Sequence, residues 1–349
     1  MKSLRQLAVC AIACTACAQV DPAYVWNDQG LAASARGANR EAEALFHKAM
    51  DRWRSLGPSH DPHFAITEAN LAQAQCAEGK RADCQKSLED AVAILRRTVG
   101  LKSIHTLTTL NLLAGVQLMR EDVASAEKLL TEALPVEREI LPHDIQLART
   151  LGSLASLRTK QARIEEALPL AEEALRLSLE VEGENSVDAA LEYSNVAEIH
   201  RLAGRNDRAM PLYRKSAEIY AKTAGPEHPR VACILSEEGL VLMADRKYSL
   251  AEQVMERARK MVDQHCAACA FEQSMILSNL GLLRLHQERY PEADQILTKA
   301  LAFEEKAKQA PGPMMAATLE ALAQVRRQQR RFEEAERLKS RAAVIAAYN

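Results

Sequence analysis

Four cysteines stand at spacings that can do chemistry. Cys266 and Cys269 enclose two alanines, a Cys-x-x-Cys spacing that serves haem attachment, dithiol exchange, half of a zinc site or a small disulfide. Haem attachment needs a histidine next, and Ala270 follows instead. A redox motif usually opens a helix after a strand, and no strand is predicted here. A zinc site needs two more ligands, and His265 alone is not enough. A disulfide closing a turn remains, with free thiols as the other reading. Cys76 and Cys84 straddle a second turn; they can pair if their Cα atoms lie within about 7 Å, or serve as two small buried residues. His60 and His63 flank Asp61-Pro62, where two histidines three apart can hold a metal, but the stretch also reads as an inter-helix linker. No glycine-rich phosphate loop or nucleophile elbow appears, so no cofactor and no metal are expected.

The redox state of those thiols depends on where the chain resides. Lys2 and Arg5 form a short positive segment, Leu7 to Ala13 an apolar one, and Ala16-Cys17-Ala18 a small-x-small cleavage site. This pattern predicts a signal peptide over 1–18, a mature chain starting at Gln19, and export. The apolar stretch is too short to span a bilayer, so no transmembrane segment is expected. A lipid anchor on Cys14 or Cys17 is the rival reading; both follow a small residue but lack the usual leucine. Five cysteines then remain in an oxidising compartment, where pairs form, and the odd one left free is assigned to Cys233.

The charge balance is even: Lys+Arg 45 against Asp+Glu 47, net -2. No basic excess exists to neutralise phosphates, which argues against nucleic acid as a partner. Clustered Arg326, Arg327, Arg330 and Arg331 lie near Glu333 and Glu334 and read as a solvated helix face. Apolar residues make up 48% of the chain but aromatics only 4%, so alanine and leucine must do the packing, as suits helices.

What positions all these residues is a repeat. Gly30, Ala72, Ala114, Ala155, Ala197, Gly239, Gly281 and Ala323 recur every 42 residues, with one 41-residue step. A second small residue follows each: Ala49, Ala91, Ala133, Ala174, Ser216, Ala258, Ala300 and Ala342. Fixed self-similarity at this period signals a solenoid. Each period holds two helical segments. In the second, small residues lie two turns apart, as at Ala42 and Ala49, and so share one face. Gly37, Gly79 and Gly204 fall where the first helix must stop. Pro169 and Pro211 lie near the start of second helices and predict a slight kink, and Pro291 the first helical position.

These residues resemble the tetratricopeptide repeat: Trp26, Gly30, Ala42, Phe46 and Ala49 in the first period, Tyr193, Val196, Ala197, Ala209, Tyr213 and Ser216 in the fifth. The 42-residue period is similar to the longer variety in kinesin light chain, and "GPEHPRVA" (Gly225 to Ala232) resembles its linker. Glu238 and Gln29 depart from the family's leucine, and Cys84 from its alanine. The resemblance implies an all-α, right-handed α-solenoid of about eight helix-turn-helix units over 19–349, with repeats near 23–63, 64–104, 105–146, 147–188, 189–230, 231–271, 272–313 and 314–349. It also implies that first helices line a groove taking a peptide or protein partner. By alignment that groove shows Asn70, Gln73, Asn111, Arg149, Ser194, Asn195, Glu198, Arg201, Leu240, Met243, Asn279, Leu282 and His286. The family's lysine–asparagine–arginine clamp for a C-terminal carboxylate is not matched in three consecutive units.

The expected function is an exported, non-catalytic interaction scaffold. Two alternatives stand beside it: a thiol or metal protein built on Cys266 and Cys269, and self-association through Ala342, Val344, Ile345 and Tyr348 of a last helix with no polar cap after it.

Overall fold

The computed structural model describes residues 20–120, 122–266, 269–306 and 312–348. The 1–18 segment, with Cys14 and Cys17, lies outside them. Sixteen helices and one short 3-10 turn account for nearly all of the described residues, and no strand occurs among them. The first compact unit runs to Val116 and the second starts at Gln117. The first holds α1 (Pro22–Ala35), α2 (Asn39–Leu56), α3 (Asp61–Ala77), α4 (Arg81–Thr98) and most of α5 (Ile104–Met119). The second holds α6 (Val123–Ile140), α7 (Ile145–Lys160), α8 (Ile164–Val181), α9 (Val187–Leu202), α10 (Asn206–Thr223), α11 (Pro229–Ala244) and α12 (Tyr248–His265). It continues with α13 (Ala270–His286), α14 (Tyr290–Lys306), α15 (Pro313–Gln328) and α16 (Phe332–Tyr348). No helix among the described residues is long and apolar enough to cross a membrane.

Local chemistry explains the helix ends. Asp21, Asp144 and Ser186 accept hydrogen bonds from backbone N–H groups of the first turn, satisfying donors that have no intrahelical partner. Pro22, Pro62, Pro229 and Pro313 occupy first-turn positions, where a missing N–H costs nothing. Among the described residues, first helices stop at a residue of left-handed backbone. Gly37, Gly79 and Gly204 take it at φ 75°, 77° and 71°. The same place in other periods holds Ala162, Arg246, Glu288 and Arg330 at φ 57° to 63°, residues whose Cβ crowds the carbonyl in that conformation. Arg246→Gly and Glu288→Gly are therefore expected to raise stability by about 0.5–1 kcal/mol each, the relief of crowding exceeding the entropy cost of glycine. Equilibrium urea denaturation measures this; an unchanged midpoint in both variants would refute it.

Pro169 and Pro211 lie inside α8 and α10, which run on unbroken. Pro291 is the second residue of α14, one place later than expected. Pro135 also sits inside a continuous helix, α6.

The recurring small residues mark where helices cross. Ala49, Ala91, Ala133, Ala174, Ser216, Ala258, Ala300 and Ala342 are all fully buried. Ser216 keeps its hydroxyl satisfied by donating to the Ala190 carbonyl at 2.6 Å. On first helices, a Cβ added to Gly30, Gly239 or Gly281 would lie 2.5 Å from Phe46, Met255 or Leu297 of the paired second helix. The departures are absorbed. Cys84 is buried in the alanine place, Gln29 is exposed, and Glu238 is buried in α11, where burial holds its carboxyl above the usual range against the pull of Arg214 and Arg257.

Between hairpins of the second unit runs a recurring ion cluster. Arg158, Arg284 and Arg326 occupy one register on α7, α13 and α15, with only 12%, 4% and 14% of each side chain exposed. Each meets an acid from the preceding second helix: Glu127, Glu252 (2.7 Å) and Asp294 (2.7 Å). An arginine after the turn (Arg163, Arg289, Arg331) then closes a two-bond pair on Glu166, Glu292 or Glu334. The basic run at 326–331 is thus corrected: Arg326 and Arg331 are not simply a solvated face but bind Asp294 across a hairpin junction. Arginine suits this place because its planar fork reaches two carboxylates at once.

The self-association set is also corrected. Ala342 and Ile345 are buried against α15 and its neighbours because they continue the inward face of α16. Val344 is 56% exposed, and the side chain of Tyr348 lies outside the described residues.

Candidate functional site

Neighbouring first helices pack against one another, α1 with α3 in the first unit and α7, α9, α11, α13 and α15 in succession in the second. Polar rungs link them. Asn70 donates to Asn27 at 3.0 Å, and Asn279 to Ser236 at 3.0 Å in the same register. Ser278 and Thr318 hydroxyls lie 2.8 Å apart.

In the first unit, Asn70 and the exposed Gln73 line a small depression of about 60 Å³ between α3 and α5, with Ile66, His105 and Thr108. Asn111 stands on α5, partly buried. Carboxamides there can both donate to and accept from a peptide backbone.

In the second unit, the sequence-derived residues fall on one face, but several are already engaged. Arg149 makes two bonds to Asp188 at 3.0 and 3.1 Å. Asn195 donates to Glu192 at 3.0 Å and Ser194 to the Leu191 carbonyl at 2.7 Å. Glu198 and Arg201 pair at 2.6 Å, and the buried Tyr213 hydroxyl donates to the same carboxylate at 2.7 Å. Burial opposes the Arg201 charge, yet bonded Glu198 holds it above its ordinary value. Leu240 and Met243 pack on the cluster of Leu242, Met255 and Leu280, and Leu282 on that of Leu319 and Leu322. Asn279 is spent on Ser236, while His286 is exposed.

Two carboxylates on this face were not read from the sequence. Glu192 is 3% exposed, and burial pushes its carboxyl up to about 7. It fills the space above Gly152, whose missing side chain would otherwise lie 2.9 Å from the carboxyl carbon. Burial and then Glu198 push Glu237 up to about 7, with Arg201 3.7 Å away. Gly152, placed where other first helices carry a side chain, was the one available signal.

The cysteines come together in two places. Cys76 and Cys84 form a disulfide across the α3–α4 turn, Cα atoms 5.4 Å apart. Cys266 and Cys269 form another between the end of α12 and the start of α13, also 5.4 Å apart. Cys233 is the free cysteine among the described residues; it is buried in α11, and burial pushes its thiol up to about 12, leaving little nucleophilic thiolate. His60 and His63 rings lie 5.8 and 5.1 Å from the Trp53 ring, and the Tyr24 hydroxyl is 3.1 Å from His63 Nε2. No group of three or more potential ligands among the described residues is placed to hold a metal.

Known proteins bear on this architecture. The tetratricopeptide-repeat model matches residues 63–139, 146–220, 188–264 and 272–345. No curated protein sequence matches the chain. Among solved structures, the apo form of the quorum sensor NprR from B. thuringiensis is similar with TM-score 0.67 at 16% identity, over 93% of this chain and 87% of that one. A Rap protein complexed with competence and sporulation factor gives TM-score 0.64 at 14% identity, over 94% and 98%. BtubC (BKLC) from P. vanneervenii gives 0.51 at 22%, over 66% and 91%. At these identities the likeness concerns the fold. With the repeat model covering most of its length and paired helices throughout, the chain belongs to the tetratricopeptide-repeat family.

Proposed function

We propose that this is an exported, non-catalytic scaffold whose first helices take an extended segment of a protein partner. The observation that carries this reading is the face they share in each unit. Its helices are closely packed, its residues fall in one register, and in the second unit polar and ion-paired groups from Arg149 to Arg201 give way to apolar Leu240, Met243 and Leu282. Such a surface offers main-chain hydrogen bonds and shallow apolar contact without any reacting group, and a few of its residues would dominate affinity. The Rap structure, a similar fold complexed with competence and sporulation factor, supports the idea by analogy of fold alone.

A photo-reactive amino acid at Gln73 or His286, both exposed on first helices, is expected to yield a discrete protein adduct in an envelope extract. The same group at Gln253, exposed on the second helix α12, is expected to yield none. Equal labelling from all three positions would overturn the reading. Soluble export predicts an intact mass starting at Gln19; a diacylglycerol addition would show anchoring through Cys14 or Cys17 instead.

A further inference from the structure

The ion cluster that joins hairpins is altered at two turns of the second unit: at α11–α12 the apolar Leu242, Met210 and Leu250 take its places, whereas at α9–α10 the cations stay and the alteration has the form of a missing anion. At the turns that follow α7, α13 and α15, the cluster holds one arginine from the first helix, one acid from the preceding second helix, and an arginine–glutamate pair after the turn. At the turn from α9 to α10 the register continues with different residues. His200 replaces the first arginine. Leu168 replaces the acid of the preceding second helix. Arg205 keeps its place, but Arg208 stands where Glu166, Glu292 and Glu334 stand in the others. Two carboxylates are gone, while two guanidiniums remain and an imidazole stands in the third basic place.

The consequences are visible in the side chains. Arg163, Arg289 and Arg331 each grip a glutamate three residues on; Arg205 faces the like charge of Arg208 instead. Arg205 retains only Glu165, at 3.5 Å, and that glutamate is 84% exposed, so the pair is worth little. Among the described residues, no acid pairs with Arg208. His200 is 5% exposed, yet its Nδ1 is shut off from solvent with no hydrogen-bond partner. A buried polar atom left unpaired is costly, and like charges three residues apart on a helix repel. One carboxylate between these groups would relieve both.

We propose that the α9–α10 turn is a carboxylate-binding site, in which Arg205, Arg208 and His200 receive from a ligand the acid that sister junctions supply from the protein itself. The source is a glutamate or aspartate side chain of a bound protein, or a free small dicarboxylate; the chemistry recognised is the same. The site lies at the turn end of the hairpin and does not depend on what the first-helix face binds. The groups around His200 fit the role: burial, then Arg205 and Arg208, hold its ring below the usual range, while Glu172 and Asp207 oppose them. An anion bound there would raise it, so binding should strengthen as pH falls.

The test is a proton NMR titration of the His200 ring at pH 6.5 and constant ionic strength, its signal assigned by its loss in His200→Gln. Disodium succinate and N-acetyl-tetraglutamate amide are added separately. A saturable shift of the His200 signal is expected with at least one probe; tighter binding of the peptide identifies a protein side chain as the source, tighter binding of succinate a small molecule. Arg208→Glu rebuilds the sister cluster on an exposed position and is expected to weaken binding by about tenfold or more, as loss of a charge-assisted bond should, with the circular dichroism unchanged. Arg208→Gln, which adds no competing acid, is expected to weaken it less. No saturable shift with either probe, or equal binding by wild type and Arg208→Glu, would overturn the proposal.

Discussion

Urea denaturation at pH 5 is expected to require more denaturant than at pH 8, and Glu192→Gln is expected to remove much of that difference. Glu192 is almost fully buried on α9, and burial pushes its carboxyl from 4.5 up to about 7. An acid with a raised value binds its proton more tightly folded than unfolded. Its stabilisation is therefore complete below the unfolded value and is lost as pH rises through about 7. The gap corresponds to at most about 3 kcal/mol. Glu68 and Glu237, also pushed to about 7 chiefly by burial, act in the same direction. Acids held low by partners act in the opposite one. Asp188 beside Arg149, and Glu127 beside Gln161 and Arg158, support the fold fully above their unfolded values and lose that support as pH falls through their lowered ones. Maximum stability is thus expected near pH 5. Glu192→Gln retains an acceptor for Asn195 and carries no charge. It should gain about 2–3 kcal/mol at pH 8 and little at pH 5. A gain of equal size at both values would show that the carboxylate is not the cause.

Gly281→Ala is expected to destabilise the second unit by about 1–3 kcal/mol, the usual range for overpacking. The added methyl would lie 2.5 Å from Leu297 Cγ and 2.6 Å from its Cδ2. Leu297 branches at that carbon and is fully buried, so it cannot swing aside and α14 must back away. Gly239→Ala is expected to cost less, because the facing side chain is Met255, unbranched and able to bend. The cause can be isolated by a cycle: Leu297→Ala should make Gly281→Ala nearly neutral. Additive effects in the double variant would mean that the helix crossing is not what the glycine serves.

The helical pairs and their register were readable because a 42-residue period is a property of composition along the chain. Gly37, Gly79 and Gly204 announced their left-handed turns because glycine is the residue that adopts them freely. Ala162, Arg246, Glu288 and Arg330 adopt the same turn in silence, since nothing in those side chains marks it. The groove residues illustrate a different limit. Register placed Arg149, Asn195, Glu198 and Arg201 on the first-helix face, but not their partners. Asp188 is 39 residues from Arg149, and Tyr213 is 15 from Glu198. Whether a polar group is available to a ligand depends on such distant neighbours. The pairing of Arg326 with Asp294 was missed for the same reason, and a nearby glutamate pair offered a simpler account of the charge.

The position of the ion clusters also bears on mechanics. In an array where each hairpin touches only its neighbours, compliance is set junction by junction. At the junctions that carry a cluster, guanidinium and carboxylate groups fasten the turn ends like rivets, while the opposite ends are joined by the linker itself. Such a joint resists shear at its riveted edge and yields more readily at the linker edge. The α9–α10 turn keeps its cations but lacks its acids, so its rivets are left open, and an anion seated there would stiffen the hairpins it joins.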